Sequence, residues 1–149
     1  MAAGPDKVSI AVHAGTYDRV HYALVLAAAA AAVGTPVTLF FTQWGTRALL
    51  RPAADGSPGW HALALGPEAG DAARTAAEMD ALLAERRVGT FEELLLACGE
   101  LGVRFLVCES GLIGAGVAAE DLRDDLPIEV TGAVSFLRDV SPGGATFFV

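Results

Sequence analysis

Apolar residues fall into two patterns along the chain, short unbroken runs bounded by turn residues and longer stretches with helical spacing, and the two alternate. Val8-Ser-Ile-Ala-Val12 is a β-type run that passes through His13-Ala-Gly-Thr16 into a helix expected from about Asp18, as N-cap, to Val33. Ala28 to Ala32 favour helix and close packing, and Gly34-Thr-Pro36 stops it. Val37 to Phe41 is apolar on both faces, as parallel strands covered by helices are. A short helix is expected near Thr46, and Arg51 to Pro67, rich in Pro, Gly and Ala without periodicity, is expected as a mobile excursion or lid.

Asp71 to Arg87 has the spacing of an amphipathic helix. Thr90-Phe-Glu-Glu93 has capping-box spacing and opens another, whose stripe is Phe91, Leu94, Leu95, Cys98 and Leu101, with Gly102 ending it. Val103 to Cys108 is a third strand, followed by a glycine-rich loop from Glu109 to Gly116 and a short helix around Ala118 to Arg123. Pro127 to Val130 gives a short fourth strand, Gly132 to Val140 a helix and Ala145 to Val149 a closing strand. Strands alternating with helices imply βαβ crossovers, so the expectation is one α/β domain over 1–149: an open three-layer sandwich around a mostly parallel five-stranded sheet.

Composition narrows the function classes. With 149 residues, 53% of them hydrophobic and 19% charged, the chain can build one core without disulfides. A net charge of −8 with no Lys/Arg cluster argues against nucleic acid and against docking on anionic lipid. The longest apolar stretch, Tyr22 to Val33, is too short for a bilayer span, and Met1 to Lys7 has no leader pattern, so a cytoplasmic location is expected. Two cysteines make neither a disulfide framework nor a CxxC motif nor a zinc set.

In open parallel sheets ligands bind beyond the carboxyl ends of the strands. Polar or reactive groups follow three of the strands: His13, Thr16 and Tyr17 after the first, Thr42, Gln43 and Trp44 after the second, and Cys108, with Glu109, Ser110 and Gly111, at the end of the third. Cys98 lies on an apolar helical stripe and reads as a buried hydrophobe. Cys108 stands at a strand end before a helix N-terminus, where a thiolate gains stabilisation, or else is simply buried in its strand. His13 is a base, a ligand-orienting group or a loop hydrogen-bonding group, and Trp44 a stacking ring or a subunit contact. His13, His21 and Cys108 lack metal-ligand spacing, and no metal or cofactor is expected. Gly111, Gly114 and Gly116 run GxxGxG, which satisfies neither the P-loop nor the dinucleotide fingerprint, and Ser110 is not in a G-x-S-x-G elbow.

Three features resemble the DsrE/DsrF-like family of sulfur-relay and YchN-type proteins. Leu39-Phe-Phe-Thr-Gln-Trp-Gly45 resembles its second strand and F-F-T-x-W-G turn, and Leu94 to Cys108 resembles the helix and strand leading to its cysteine. From Cys108 the pattern C-x-M-S-M-D-x-M-G-hydrophobic-K-K-E-D-L fits without a gap through Gly116, Val117, Glu120, Asp121 and Leu122. The resemblance implies a flavodoxin-like subunit, a homo-oligomer such as a trimer or hexamer, and a cysteine, here Cys108, that carries persulfide sulfur between donor and acceptor proteins. The chain departs from the pattern over Ser110 to Ala115, where the methionines are missing and Ile113 stands in the Asp position. Three functions follow: a sulfur carrier with Cys108 as a surface-presented thiolate, a ligand-binding or oligomeric adaptor with Cys108 inert, or a thiol peroxidase with Cys98 as resolving thiol. The last is the weakest, since Cys98 faces inward.

Overall fold

The computed structural model describes residues 3–149. Five strands, β1 (Val8–Val12), β2 (Val37–Phe41), β3 (Arg104–Cys108), β4 (Ile128–Thr131) and β5 (Ala145–Phe148), form one sheet in the order β4-β3-β2-β1-β5. Every pairing is parallel, so the sheet is fully rather than mostly so. Alternation along the strands sorts side chains onto two faces. Ile10, Leu39, Phe41, Phe105 and Val107 pack with Leu24 of α1 (Tyr17–Ala32) and Leu95 and Cys98 of α3 (Phe91–Glu100), which makes the larger core. Phe40, Leu106 and Cys108 face the other way under Phe136 of α5 (Ala133–Asp139), whose ring stacks on Phe40 at 4.7 Å. Helices on both faces complete the three layers. Asp139 fixes the far end of α5 by accepting from Lys7 Nζ (2.7 Å), Thr38 Oγ1 (2.6 Å) and Arg104 Nη1 (2.8 Å).

Several elements differ from the sequence expectation, each for a local reason. The N-cap of α1 is Thr16, while the Asp18 carboxylate reaches out to accept the Gly66 N–H at 2.6 Å. α2 covers only Ala76–Glu85, because the Thr75 hydroxyl accepts the Glu78 N–H and starts the helix there. The Thr90/Glu93 capping box opens α3 as its spacing predicts. The region 109–116 is not a loop: Glu109–Ala115 is a helix, α4, closed by Gly116 in the left-handed region at φ 69. Glycines lower helix propensity, and that hid it. The short helix expected at 118–123 is a single 3₁₀ turn, Ala119–Asp121.

The stretch 51–67 contains an anchor. Its 3₁₀ turn Gly59–Ala62 drives Trp60 into the larger core, where the indole is 2% exposed, stacks on Phe91 at 4.8 Å and donates to Glu92 Oε2 at 2.8 Å. Glu92 in turn pairs with the buried Arg123. Just before the stretch, Leu50 bridges Leu122, and Arg51 N–H donates to Asp121 O at 2.8 Å. The chain leaving β2 and the chain leaving α4 are thereby joined.

Candidate functional site

Register places the end of β3 within a row of polar side chains. Val12, Phe41, Val107 and Val130 are aligned across β1, β2, β3 and β4, so the next position on each strand is His13, Thr42, Cys108 and Thr131. Adjacent parallel strands lie about 4.8 Å apart, which puts Thr42 and Thr131 beside Cys108 and His13 roughly 10 Å away. Thr131 carries no motif, and only the strand register reveals it.

Cys108 is also the N-cap of α4. The chain passes from strand to helix with no intervening loop, so the first amides of the helix open toward the sulfur. Its Sγ lies 3.2 Å from Ser110 Oγ. Burial works to raise the thiol pKa, but the Ser110 hydroxyl, the Gly111 N–H, the Thr42 hydroxyl and the Ser110 N–H together hold it below the ordinary cysteine value. The sequence expectation of a sulfur presented to solvent needs correction: Cys108 is 5% exposed. One side of it packs on Phe40, Leu106 and Phe136, and the other faces hydroxyls and amides.

The other predicted residues separate. His13 is exposed and its ring stacks on Phe148 at 5.6 Å; its N–H donates to Val149 O and its carbonyl accepts from Gly45 N–H, with no bond to the sulfur. Thr16 Oγ1 is buried without a hydrogen-bond partner among the described residues. Tyr17 does not belong to the rim: as the first residue of α1 it turns fully inward and donates to Asp80 Oδ1 at 2.6 Å. Trp44 is 46% exposed with the Arg47 guanidinium 4.9 Å above its ring. Glu109 is exposed at the start of α4, and Gly116 ends the same helix away from the sulfur. Gly111 and Gly114 form the α4 face that meets the chain after β2: a Cβ on Gly111 would collide with Thr42 Oγ1, and one on Gly114 would sit 2.7 Å from Gln43 Oε1. The GxxG spacing is thus a close-packing device, which is why no phosphate motif matched it.

Cys98 is fully buried in the larger core, on the opposite sheet face from Cys108, and burial raises its thiol pKa to about 11. It cannot serve Cys108 as a resolving thiol without unfolding. Among the described residues no group of three or more His, Cys, Asp or Glu is placed to hold a metal.

Native-state alkylation therefore reads Cys108 alone. Its rate against pH is expected to rise with a midpoint below that of a free thiol, near 8.5, and Ser110→Ala or Thr42→Val should each move the midpoint upward. A wild-type midpoint at or above the free-thiol value would contradict the donor arrangement.

An all-parallel, three-layer sheet with a hydrogen-bonded thiol at the carboxyl end of its third strand defines a class of open α/β domains built around a strand-end cysteine. Within that class the chain belongs to the DsrE/DsrF/DrsH-like family, whose model matches residues 5–148. It is 26% identical over 162 residues to the uncharacterized protein YrkE of Bacillus subtilis (strain 168), with all of both chains covered. MTH1491 of Methanobacterium thermoautotrophicum, a protein of unknown function, shares the fold at a TM-score of 0.51 and 15% identity, covering 96% of this chain and 98% of the other. At that identity the likeness speaks for the fold alone.

Proposed function

We propose that this chain carries sulfane sulfur on Cys108 and passes it to a partner thiol. The observation that carries this reading is a strand-end sulfur that caps α4 and lies 3.2 Å from the Ser110 hydroxyl, an arrangement that lowers the cost of forming the thiolate. A thiolate attacks the outer sulfur of a donor such as thiosulfate, forming a Cys108 S–S bond and releasing sulfite with the electron pair of the broken bond. An acceptor thiolate then attacks the terminal sulfur, becomes the persulfide, and returns Cys108 to its thiolate. Charge balances at both steps, and no metal, cofactor or net oxidant is required. Family membership supports this chemistry and a homotrimeric or hexameric assembly. No helix among the described residues is long and apolar enough to cross a membrane. A reducing cytoplasm, where both cysteines stay free, fits the two unpaired thiols.

Intact-mass measurement tests the reading. Wild type incubated with thiosulfate or a persulfide donor is expected to gain one sulfur atom, removable by a reductant, and Cys108→Ser to gain none. No addition to wild type, or equal addition to the variant, removes the carrier function.

A second reading, a binding or adaptor module with an inert thiol, rests on one observation: an apolar groove of about 470 Å³ between α1 and β5, lined by Val8, Leu26, Ala29, Ala30, Val33 and Phe147. It lies away from Cys108. Protein that takes up no sulfur but is monodisperse as an oligomer by light scattering would favour that reading.

A further inference from the structure

The turn after β2 carries a feature that its sequence does not explain. Gln43 adopts φ 49, in the left-handed region; apart from Arg87, it is the one non-glycine among the described residues with a positive φ. Side chains with a Cβ avoid this region, so the surroundings must impose it.

Three sets of contacts do so. Thr42 N–H donates to Val12 O at 3.0 Å, which keeps Thr42 in the strand row. Immediately afterwards the chain folds back: Gly45 N–H donates both to Thr42 O (3.0 Å) and to His13 O (3.1 Å), and Thr46 Oγ1 donates to Gln43 O at 2.7 Å. Gly45 is pressed on the Val12 carbonyl, where no Cβ fits. The chain thus passes at once into the 3₁₀ helix Gln43–Leu49, with Gln43 as its first residue. On the other side the glycine face of α4 receives it: a Cβ on Gly111 would stand 2.6 Å from the Gln43 backbone N, and one on Gly114 2.7 Å from Oε1 and 3.1 Å from Nε2 of its amide.

We infer that Gln43 is a positioning residue: its left-handed backbone, seated on the Gly111/Gly114 face of α4, sets the Thr42 hydroxyl against the Cys108 sulfur. The inference rests on Cys108 being the working thiol. With an ordinary φ at 43 the reversal would start at Thr42 itself and draw its side chain out of the row. A side chain at 111 would meet the Gln43 backbone N and Thr42 Oγ1 and lift the turn off α4, whereas one at 114 would meet only the movable end of the Gln43 side chain. Position 43 thus acts on the sulfur through its neighbour, without touching it. The charged groups on the elements around the sulfur are Glu109, next in the chain and exposed, His13, two strands across, Arg47 over the Trp44 ring, Arg104 and Glu129, paired on β3 and β4, and Arg138 and Asp139 on α5; none bonds to it, so hydrogen bonding is what a change at 43 alters.

The test is the pH profile of Cys108 alkylation by iodoacetamide in the folded protein, with thermal unfolding measured alongside. Gln43→Val, whose branched side chain resists the left-handed region, and Gly111→Ala, whose methyl would meet the Gln43 backbone, are both expected to raise the midpoint, with about a tenfold loss of thiolate near neutral pH for each unit of rise. Gln43→Gly keeps the backbone conformation accessible and is expected to hold the wild-type midpoint. A purely structural role would lower the unfolding temperature and leave every midpoint in place. That result overturns the inference, as does a wild-type midpoint no lower than a free thiol's. Where Gln43→Val does not fold, Gly111→Ala decides by the same criterion. These titrations use no sulfur donor, so failure of wild type to load sulfur would end the carrier function while leaving the role of Gln43 separately determined.

Discussion

Trp60→Ala is expected to destabilise the protein by about 3–5 kcal/mol in urea or thermal unfolding, the usual range for emptying a buried indole site. The side chain is 2% exposed and fits among Tyr17, Phe91 and the α1/α3 core, with ring centroids 5.9 Å from Tyr17 and 4.8 Å from Phe91. Its loss leaves a cavity where the segment 51–67 joins the rest of the molecule. Glu92 keeps its bonds to Arg123, so no bare charge is left behind. Trp60→Phe retains a ring, gives up the indole N–H bond to Glu92 and part of the packing volume, and should cost less than the alanine change, about 1–2 kcal/mol. Because native domains are stable by only about 5–15 kcal/mol, the alanine variant should also be cut by protease within 51–67 at temperatures where wild type is resistant. Unchanged unfolding in Trp60→Ala would show that this segment does not dock.

The second large effect is expected at Asp80. One oxygen, Oδ1, accepts both the Tyr17 hydroxyl at 2.6 Å and the Phe91 N–H at 2.8 Å, tying α1, α2 and the start of α3 together. Asp80→Ala strands a fully buried hydroxyl and a helix-start amide, at a cost of about 2–4 kcal/mol. Tyr17→Phe removes the stranded donor along with the bond and should cost about 1 kcal/mol, less than Asp80→Ala by a margin that equilibrium unfolding resolves. Burial first, and the Asp80 carboxylate second, raise the Tyr17 pKa well above the ordinary tyrosine value. The folded state therefore holds this proton more tightly than the unfolded chain. Its contribution is fully present below about pH 10 and is lost as pH climbs past that point, so Tyr17→Phe should unfold less steeply on the alkaline side. Equal alkaline limbs in the two proteins would contradict the placement of that hydroxyl.

Strand and helix order was legible because burial imposes it: runs such as Val37 to Phe41, buried at every position, offer no solvent face, and the Thr90/Glu93 box announces its helix outright. Cys108 and Thr42 were likewise legible as neighbours on one rim, since parallel strands of equal length end together. The glycines misled. Gly111 and Gly114 look like loop residues along the chain, and only a second element lying against them shows that they are the flat side of a helix. Tyr17 misled in the opposite sense, because one residue of helical rotation decides between rim and core, and its partner Asp80 is 63 residues away. Trp60 sits in a stretch with no periodicity to announce burial, and its anchoring depends on Phe91 and Glu92 from a later helix. Long-range pairing of this kind leaves no local trace.

The placement of the two sulfurs on opposite faces of the sheet has a consequence for turnover. Any group attached to Cys108 meets no second thiol within the same chain, so no thiol of that chain can discharge it. Under the proposed carrier function, release awaits an outside nucleophile, and the lifetime of the loaded form is set by how often such a visitor arrives.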